Sequence, residues 1–187
     1  SIWLSDSEID LIKKTGAIPI HCPNTNMKIS DGIPKIAQMV AKGIPVCFGC
    51  DGEASSSTRD MIREGKAGAY LQKAITLDPT VLDAGTVFKM LTINGAKALG
   101  YSDLGEVKEG NQADLILVNM NDDLSLTDPD HRIGNFLYAG TGHAVDTVFC
   151  AGVLKLRNKK LQGFDEEKII NKCNELVHKL NLKINNI

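Results

Sequence analysis

This sequence has no strong excess of charge: 21 Lys and Arg stand against 23 Asp and Glu, a net of −2 over 187 residues. The basic residues are scattered rather than clustered, so electrostatics give no case for nucleic acid or an anionic membrane as partner. Apolar runs long enough to span a membrane are missing. The start, Ser1-Ile2-Trp3-Leu4-Ser5, has neither an initiator methionine nor a signal peptide, and it reads as the interior of a longer chain. Cysteine is sparse, with five residues at positions 22, 47, 50, 150 and 173. An odd, irregularly spaced set argues against a disulfide framework and for a reducing, cytoplasmic setting.

What is present is ordinary soluble-protein composition, 43% apolar and 24% charged, enough for one domain with a real core or two small pieces. The most informative stretch is Ile44-Pro45-Val46-Cys47-Phe48-Gly49-Cys50-Asp51-Gly52. It reads as a short buried strand that stops on an aspartate and turns at glycine. A carboxylate just past the last buried residue sits at the strand's carboxyl edge, where α/β sheets and (β/α) barrels place catalytic and metal-binding groups. An Asp-Gly turn that merely ends the strand fits the spacing equally well. Cys47 and Cys50 match C-x-x-C, but positions three apart on a strand face opposite ways, and no second pair completes a zinc set. Structural cysteines are the preferred reading.

Along the chain, Ser5-Asp6-Ser7-Glu8 forms a capping box that opens a helix stopped at Thr15-Gly16. A strand over 17–21 leads to a loop, Cys22-Pro23-Asn24-Thr25-Asn26, and a helix from about Ile33 to Gly43 precedes the strand to Asp51. A long helix over about 59–75 follows, then helical stretches near 84–91 and 93–99. This alternation predicts parallel βα units. After residue 105 the pattern changes to strands over 113–118, 145–150 and 153–157, a turn at Asn158-Lys159-Lys160, and a final amphipathic helix over about 165–180. The division is therefore 1–104, βα in type, and 105–187, β-rich. Two parallel strands make neither a closed barrel nor a balanced sheet, so the first piece is a partial domain.

The residues Trp3-Leu4-Ser5-Asp6, His21-Cys22-Pro23 with Asn26-Met27-Lys28, Gly49-Cys50-Asp51-Gly52 with Ala54-Ser55, Asp60-Met61, Leu71-Gln72-Lys73, Thr92 through Gly100, and Gly110-x-x-Ala113-Asp114-Leu115-Ile116 occur in an order and spacing that closely resemble one family. It is the amidohydrolase superfamily, in the branch of the atrazine/triazine hydrolases and the S-adenosylhomocysteine/methylthioadenosine deaminases. The resemblance covers residues 1 to about 120 and matches only the carboxyl-terminal half of those enzymes.

The resemblance implies an α/β fold: the carboxyl-terminal part of a (β/α)8 barrel, part of a small composite β-sandwich, and a terminal helix. It implies a hydrolase of non-peptide carbon–nitrogen bonds, a deaminase of adenosine-type or other N-heterocyclic small molecules, using one Zn²⁺ or Fe²⁺ to activate water. Asp51 matches the family's last-strand aspartate, a metal ligand and catalytic proton shuttle. His21, at the end of the seventh strand, is given a place near substrate or behind the metal site. Asn26 is either a substrate contact or a loop-stabilising amide. His131, His143 and His178 are surface or packing residues. The family's His-x-His pair, its fifth- and sixth-strand histidines and its glutamate acid/base have no counterpart here. The expected partner is thus the missing amino-terminal half of the same enzyme, with a homo-oligomer allowed, and this chain alone is expected to be inactive. A non-catalytic assembly module and one half of a split enzyme are the alternatives. Glu53 and Ser56-Ser57-Thr58 depart from the family pattern in the loop that shapes the substrate pocket.

Overall fold

The computed structural model describes residues 1–121 and 123–184. Helix α1 (Asp6–Thr15) begins as the capping box predicts: Ser5 Oγ accepts the Glu8 N–H at 3.3 Å and Glu8 Oε2 accepts the Ser5 N–H at 2.7 Å. Gly16 ends it at φ 72°, a left-handed cap that costs glycine little. Strand β1 (Ile20–His21), helix α2 (Pro23–Lys28), helix α3 (Ile36–Ala41) and strand β2 (Cys47–Phe48) follow. The two strands pair in parallel, Ile20 opposite Cys47 and His21 opposite Phe48. Both are shorter than their apolar runs predict, because Pro19 and Pro45 lack the N–H that a ladder needs. Pro19 still accepts the Cys47 N–H, and His21 the Gly49 N–H, each at 3.0 Å.

The segment from Cys22 to Asn26, expected to be loop, instead forms most of α2. Proline at the first helical turn is pre-set for that conformation and gives up an N–H with no intrahelical acceptor. Helix α3 begins at Ile36 rather than near Ile33, since a residue before proline, here Pro34, is steered away from helix. Helices α4 (Glu53–Ser56), α5 (Met61–Thr76), α6 (Ala84–Leu91) and α7 (Ile93–Ala98) complete the first region.

The main core lies between these helices and β2. Ile9, Met39, Val46, Phe48, Val87, Met90 and Leu137 form its centre. Burying each such side chain contributes about 1.5–3 kcal/mol. Two side-chain amides, Gln72 buried and Asn94 half-buried, fasten the layers. Gln72 accepts the Ala37 N–H and donates to Pro34 O, both at 3.0 Å, and Asn94 donates to Val46 O at 2.7 Å.

In the second region, β3 (Leu115–Val118), β4 (Val145–Cys150), β5 (Val153–Arg157) and β6 (Lys160–Leu161) form one antiparallel sheet in sequence order. The Asn158-Lys159 turn is a hairpin tip, with both residues at positive φ, and Lys160 already belongs to β6. Helix α8 (Arg132–Tyr138) was not expected; Phe136 and Leu137 bury it against the helices of the first region. Helix α9 (Glu166–Ile184) follows β6, with Ile170, Val177 and Leu180 on its apolar stripe all exposed. No described helix is long and apolar enough to cross a membrane.

Candidate functional site

The carboxyl ends of β1 and β2 form one edge. Beyond β2 the backbone passes through Gly49, where a Cβ would stand 2.8 Å from Ile20 Cγ2 and 3.3 Å from Cys22 Sγ. Only glycine lets the two chains lie this close. Two residues later Asp51 adopts φ 55°, in the left-handed region that aspartate tolerates better than most residues. Its side chain is exposed, and Oδ1 accepts the Gly52 N–H at 2.6 Å. The second oxygen has no hydrogen-bond partner among the described residues, so it faces the edge uncommitted.

A cavity of about 220 Å³ opens at this edge, and Ile20, His21, Cys22, Asn26, Pro34 and Asp51 are among its lining residues. The structure therefore brings His21, Asn26 and Asp51 to one wall. Asn26 stands on α2 and is half-buried. Helices α2 and α4 are tied together beside it. Lys28 Nζ donates to Ser57 Oγ at 2.5 Å and to Ala54 O at 3.1 Å, and Thr25 Oγ1 donates to Ser55 Oγ at 3.3 Å.

His21 is 1% exposed, and its ring lies against Phe48 with centroids 5.7 Å apart. A Cβ added at Gly68 of α5 would stand 3.3 Å from His21 Cδ2, so the imidazole is seated on the helix layer. Burial lowers its pKa to about 4, which keeps it neutral at physiological pH. The Cys22 thiol is pushed up by burial and further by the Asp51 carboxylate. All five cysteines are free. His131, His143 and His178 are exposed and lie away from this edge.

Sequence reasoning passed over one buried residue behind this edge. Glu64, on the buried stripe of α5, is 0% exposed, and its Oε2 accepts the Asn24 backbone N–H at 3.2 Å. Burial raises its pKa. The signal for it was available: Glu64 falls four residues before Gly68 and eight before Gln72, on the face where a helix buries its side chains.

Among the described residues no group of three or more His, Cys, Asp and Glu is arranged to hold a metal ion. Asp51 fits as a single donor, since it is an exposed, hard, anionic oxygen ligand at a strand end. A larger cavity, about 670 Å³, lies between α6–α7 and β3, with walls such as Leu91, Leu99, Tyr101 and Ile116. That groove is apolar in the main and shares no lining residue with the cavity at the Asp51 edge.

Comparison with known proteins places the chain among relatives. The chain is 36% identical over 178 residues to a 5-methylthioadenosine/S-adenosylhomocysteine deaminase of Halothermothrix orenii, covering 95% of this chain and 41% of that protein. It is 35% identical over 181 residues to a 5'-deoxyadenosine deaminase of Methanobrevibacter smithii, covering 96% and 42%. Among solved structures, an adenosine deaminase from Xanthomonas campestris with bound zinc superposes at a TM-score of 0.92 and 31% identity, over 97% of this chain and 41% of that one. The chain thus spans about 41% of the length of the relatives it matches. Residues 1–155 match the model of the amidohydrolase family, and the chain belongs to that family.

Proposed function

We propose that this chain is the carboxyl-terminal portion of a metal-dependent aminohydrolase acting on adenosine-type nucleosides, with Asp51 as one metal ligand and as the catalytic group that moves the proton. The observation that carries the reading is the parallel β1–β2 pair with Asp51 at its carboxyl edge, strained into left-handed backbone and aimed at the cavity. The deaminase names of its relatives support the reaction class. A bound Zn²⁺ or Fe²⁺ would supply water acidified toward neutrality, the nucleophile for an amidine-like ring carbon. Asp51 is suited to two tasks. One oxygen would hold a bound metal, and the other is the base that would take the proton of the attacking water and return it to the leaving amine. The Gly52 N–H on Oδ1 fixes the plane of the carboxylate for both. Asn26 offers a neutral amide to a heterocycle at the cavity wall, and His21 supports that wall from behind.

In this reading residues 1–104 are the last part of a (β/α)8 barrel, with β1 and β2 its final strands. Residues 105–187 are part of a composite sandwich with α9. The other metal ligands belong to chain that these residues do not include, so the 187 residues alone bind zinc weakly and do not turn over substrate. A non-catalytic module need not keep Asp51 in an otherwise intact Gly49-Cys50-Asp51-Gly52 motif. The test uses the polypeptide that carries these residues together with the remaining length found in the relatives. Asp51→Asn should lower ammonia release from adenosine, 5'-methylthioadenosine and S-adenosylhomocysteine by about 10²–10⁴, the usual worth of a positioned proton acceptor. Rates within threefold or so of the parent, at full metal occupancy, would remove Asp51 from the mechanism.

A further inference from the structure

Four buried side-chain polar atoms have no hydrogen-bond partner among the described residues: Nδ1 and Nε2 of His21, Nδ2 of Asn24 and Oε1 of Glu64. Buried polar groups are nearly always paired, and each exception calls for an explanation such as a bound water or ion. These four atoms are not spread through the molecule. The Asn24 backbone is bonded to Glu64, His21 lies three residues before Asn24, and its ring abuts α5 at Gly68, one turn beyond Glu64 on the same face. Among the described residues no Lys or Arg pairs with the Glu64 carboxyl; its hydrogen bond comes from the Asn24 N–H, and the Asn24 side-chain amide stands close enough to the carboxyl to hold its pKa back against burial.

The orphaned set is chemically complementary. Glu64 Oε1 accepts, the Asn24 amide nitrogen donates, and a neutral imidazole has one donor and one acceptor nitrogen. A metal ion fits poorly, since the unpartnered Asn24 atom is a donor and no three His, Cys, Asp and Glu are grouped here among the described residues. Water fits, because it needs two to four polar partners and can donate and accept at once.

We propose that His21, Asn24 and Glu64 enclose a buried water site behind the Asp51 edge, and that Glu64 is a positioning residue for substrate. One carboxylate oxygen holds the start of α2 through the Asn24 N–H, and the other holds the water that fixes the His21 ring. Together they set where Asn26, two residues further along α2, meets the cavity. The second half of the inference rests on the aminohydrolase reading; the water site does not.

Two measurements test the parts separately. A high-resolution crystal structure of the 187-residue chain should show an ordered water within hydrogen-bond distance of at least two of Glu64 Oε1, Asn24 Nδ2 and a His21 ring nitrogen. A dry site would overturn the water. In the longer polypeptide, Glu64→Leu should raise KM about tenfold for the nucleoside that the parent deaminates, the worth of one lost charge-assisted hydrogen bond, while kcat and zinc content stay within twofold. Glu64→Gln keeps an acceptor for the Asn24 N–H, covers the case in which the leucine variant does not fold, and should raise KM about threefold. An unchanged KM in both variants, or a fall in kcat with loss of zinc, would overturn the positioning role. If the parent deaminates no nucleoside, the functional reading fails, and the crystallographic arm still decides the water site.

Discussion

Replacing Gly68 by alanine tests how tightly the site is held from behind. Elsewhere in a helix this change stabilises, since alanine exceeds glycine by about 0.8–1.0 kcal/mol in helix propensity. Here the added Cβ would lie 2.4 Å from Phe48 Cε1, 2.8 Å from Phe48 Cζ and 3.3 Å from His21 Cδ2. Neither ring is a flexible chain end. Phe48 is 7% exposed and backed by the imidazole, so relief requires moving the ring, the His21 wall, or α5 itself. Overpacking of this kind costs about 1–3 kcal/mol. A ring squeezed on two sides belongs at the upper end, and subtracting the propensity gain leaves a net loss of about 1–2 kcal/mol.

Urea unfolding followed by far-UV circular dichroism measures this loss, with Gly95→Ala in α7 as the control. A Cβ at Gly95 meets nothing within 4 Å, so the same chemical change should stabilise by about 0.5–1 kcal/mol. Opposite signs for the two variants are the expected result. A second arm adds Phe48→Leu. If the ring is what the Cβ strikes, the double variant loses less than the sum of the single losses by about 1 kcal/mol. A Gly68→Ala protein as stable as the parent, or strictly additive losses, would refute the steric argument and with it the seat of His21 on α5.

Three further outcomes follow from the same coordinates. The unfolded chain protonates His21 near 6.5 and the folded chain near 4, so the unfolded state gains the proton first and stability falls as pH drops across that window, by at most ~3 kcal/mol. Glu64 acts in the opposite sense: its raised pKa gives stability below about 4.5 that is lost as pH climbs through the folded value. Over pH 7.5 to 4.5 the urea midpoint of the parent should therefore drop relative to that of His21→Gln, whatever Glu64 adds to both; parallel curves would contradict a buried neutral imidazole. Asp60 caps α5 by accepting the Ile62 and Arg63 N–H groups at 3.0 and 3.2 Å, and its other oxygen accepts the Gly142 N–H at 3.0 Å. Asp60→Ala should cost about 2 kcal/mol in urea unfolding, from the lost cap and the orphaned amide; a loss below 0.5 kcal/mol would show that water replaces both. Equilibrium dialysis of the 187-residue chain should find zinc binding weaker than micromolar, because a stable site uses three or more ligands and Asp51 is one.

Elements whose signals are local were legible in the sequence. The Ser5–Glu8 capping box and the Gly16 stop act within a turn or two, and they and the long helix over about 59–75 stand where the sequence places them. The parallel pairing of β1 with β2 was legible through topology, since a helix between two strands carries the chain back to the same end. Helices α2 and α8 were not legible. The run Pro23-Asn24-Thr25-Asn26-Met27-Lys28 has the composition of a turn, and it is helical in a setting where Pro23 and Thr25 are buried and Asn24 is held by Glu64, forty residues away. Helix α8 carries Gly134 and only seven residues, yet Phe136 and Leu137 drive it into two cores at once. Tertiary burial overrides propensity in both.

The site divides along the same line. That Asp51 ends a buried strand is written in the residues before it, and so is the parallel alignment that brings His21 to the same edge. The left-handed backbone at Asp51 is not written there, because Asp-Gly serves right-handed and left-handed turns alike. Nor is the direction of the His21 ring. Strand periodicity assigns alternate residues to two faces, but which face is the cavity and which the helix layer depends on what covers it. At β1 that is settled by Gly68, whose missing side chain makes room for both Phe48 and the imidazole. Glu64 follows from the same packing. A carboxylate on the buried stripe of a helix is a local contradiction in the sequence, and such contradictions are where functional or strained sites are expected. It resolves only in three dimensions, where the Asn24 backbone amide meets it one turn before the Gly68 seat of the His21 ring.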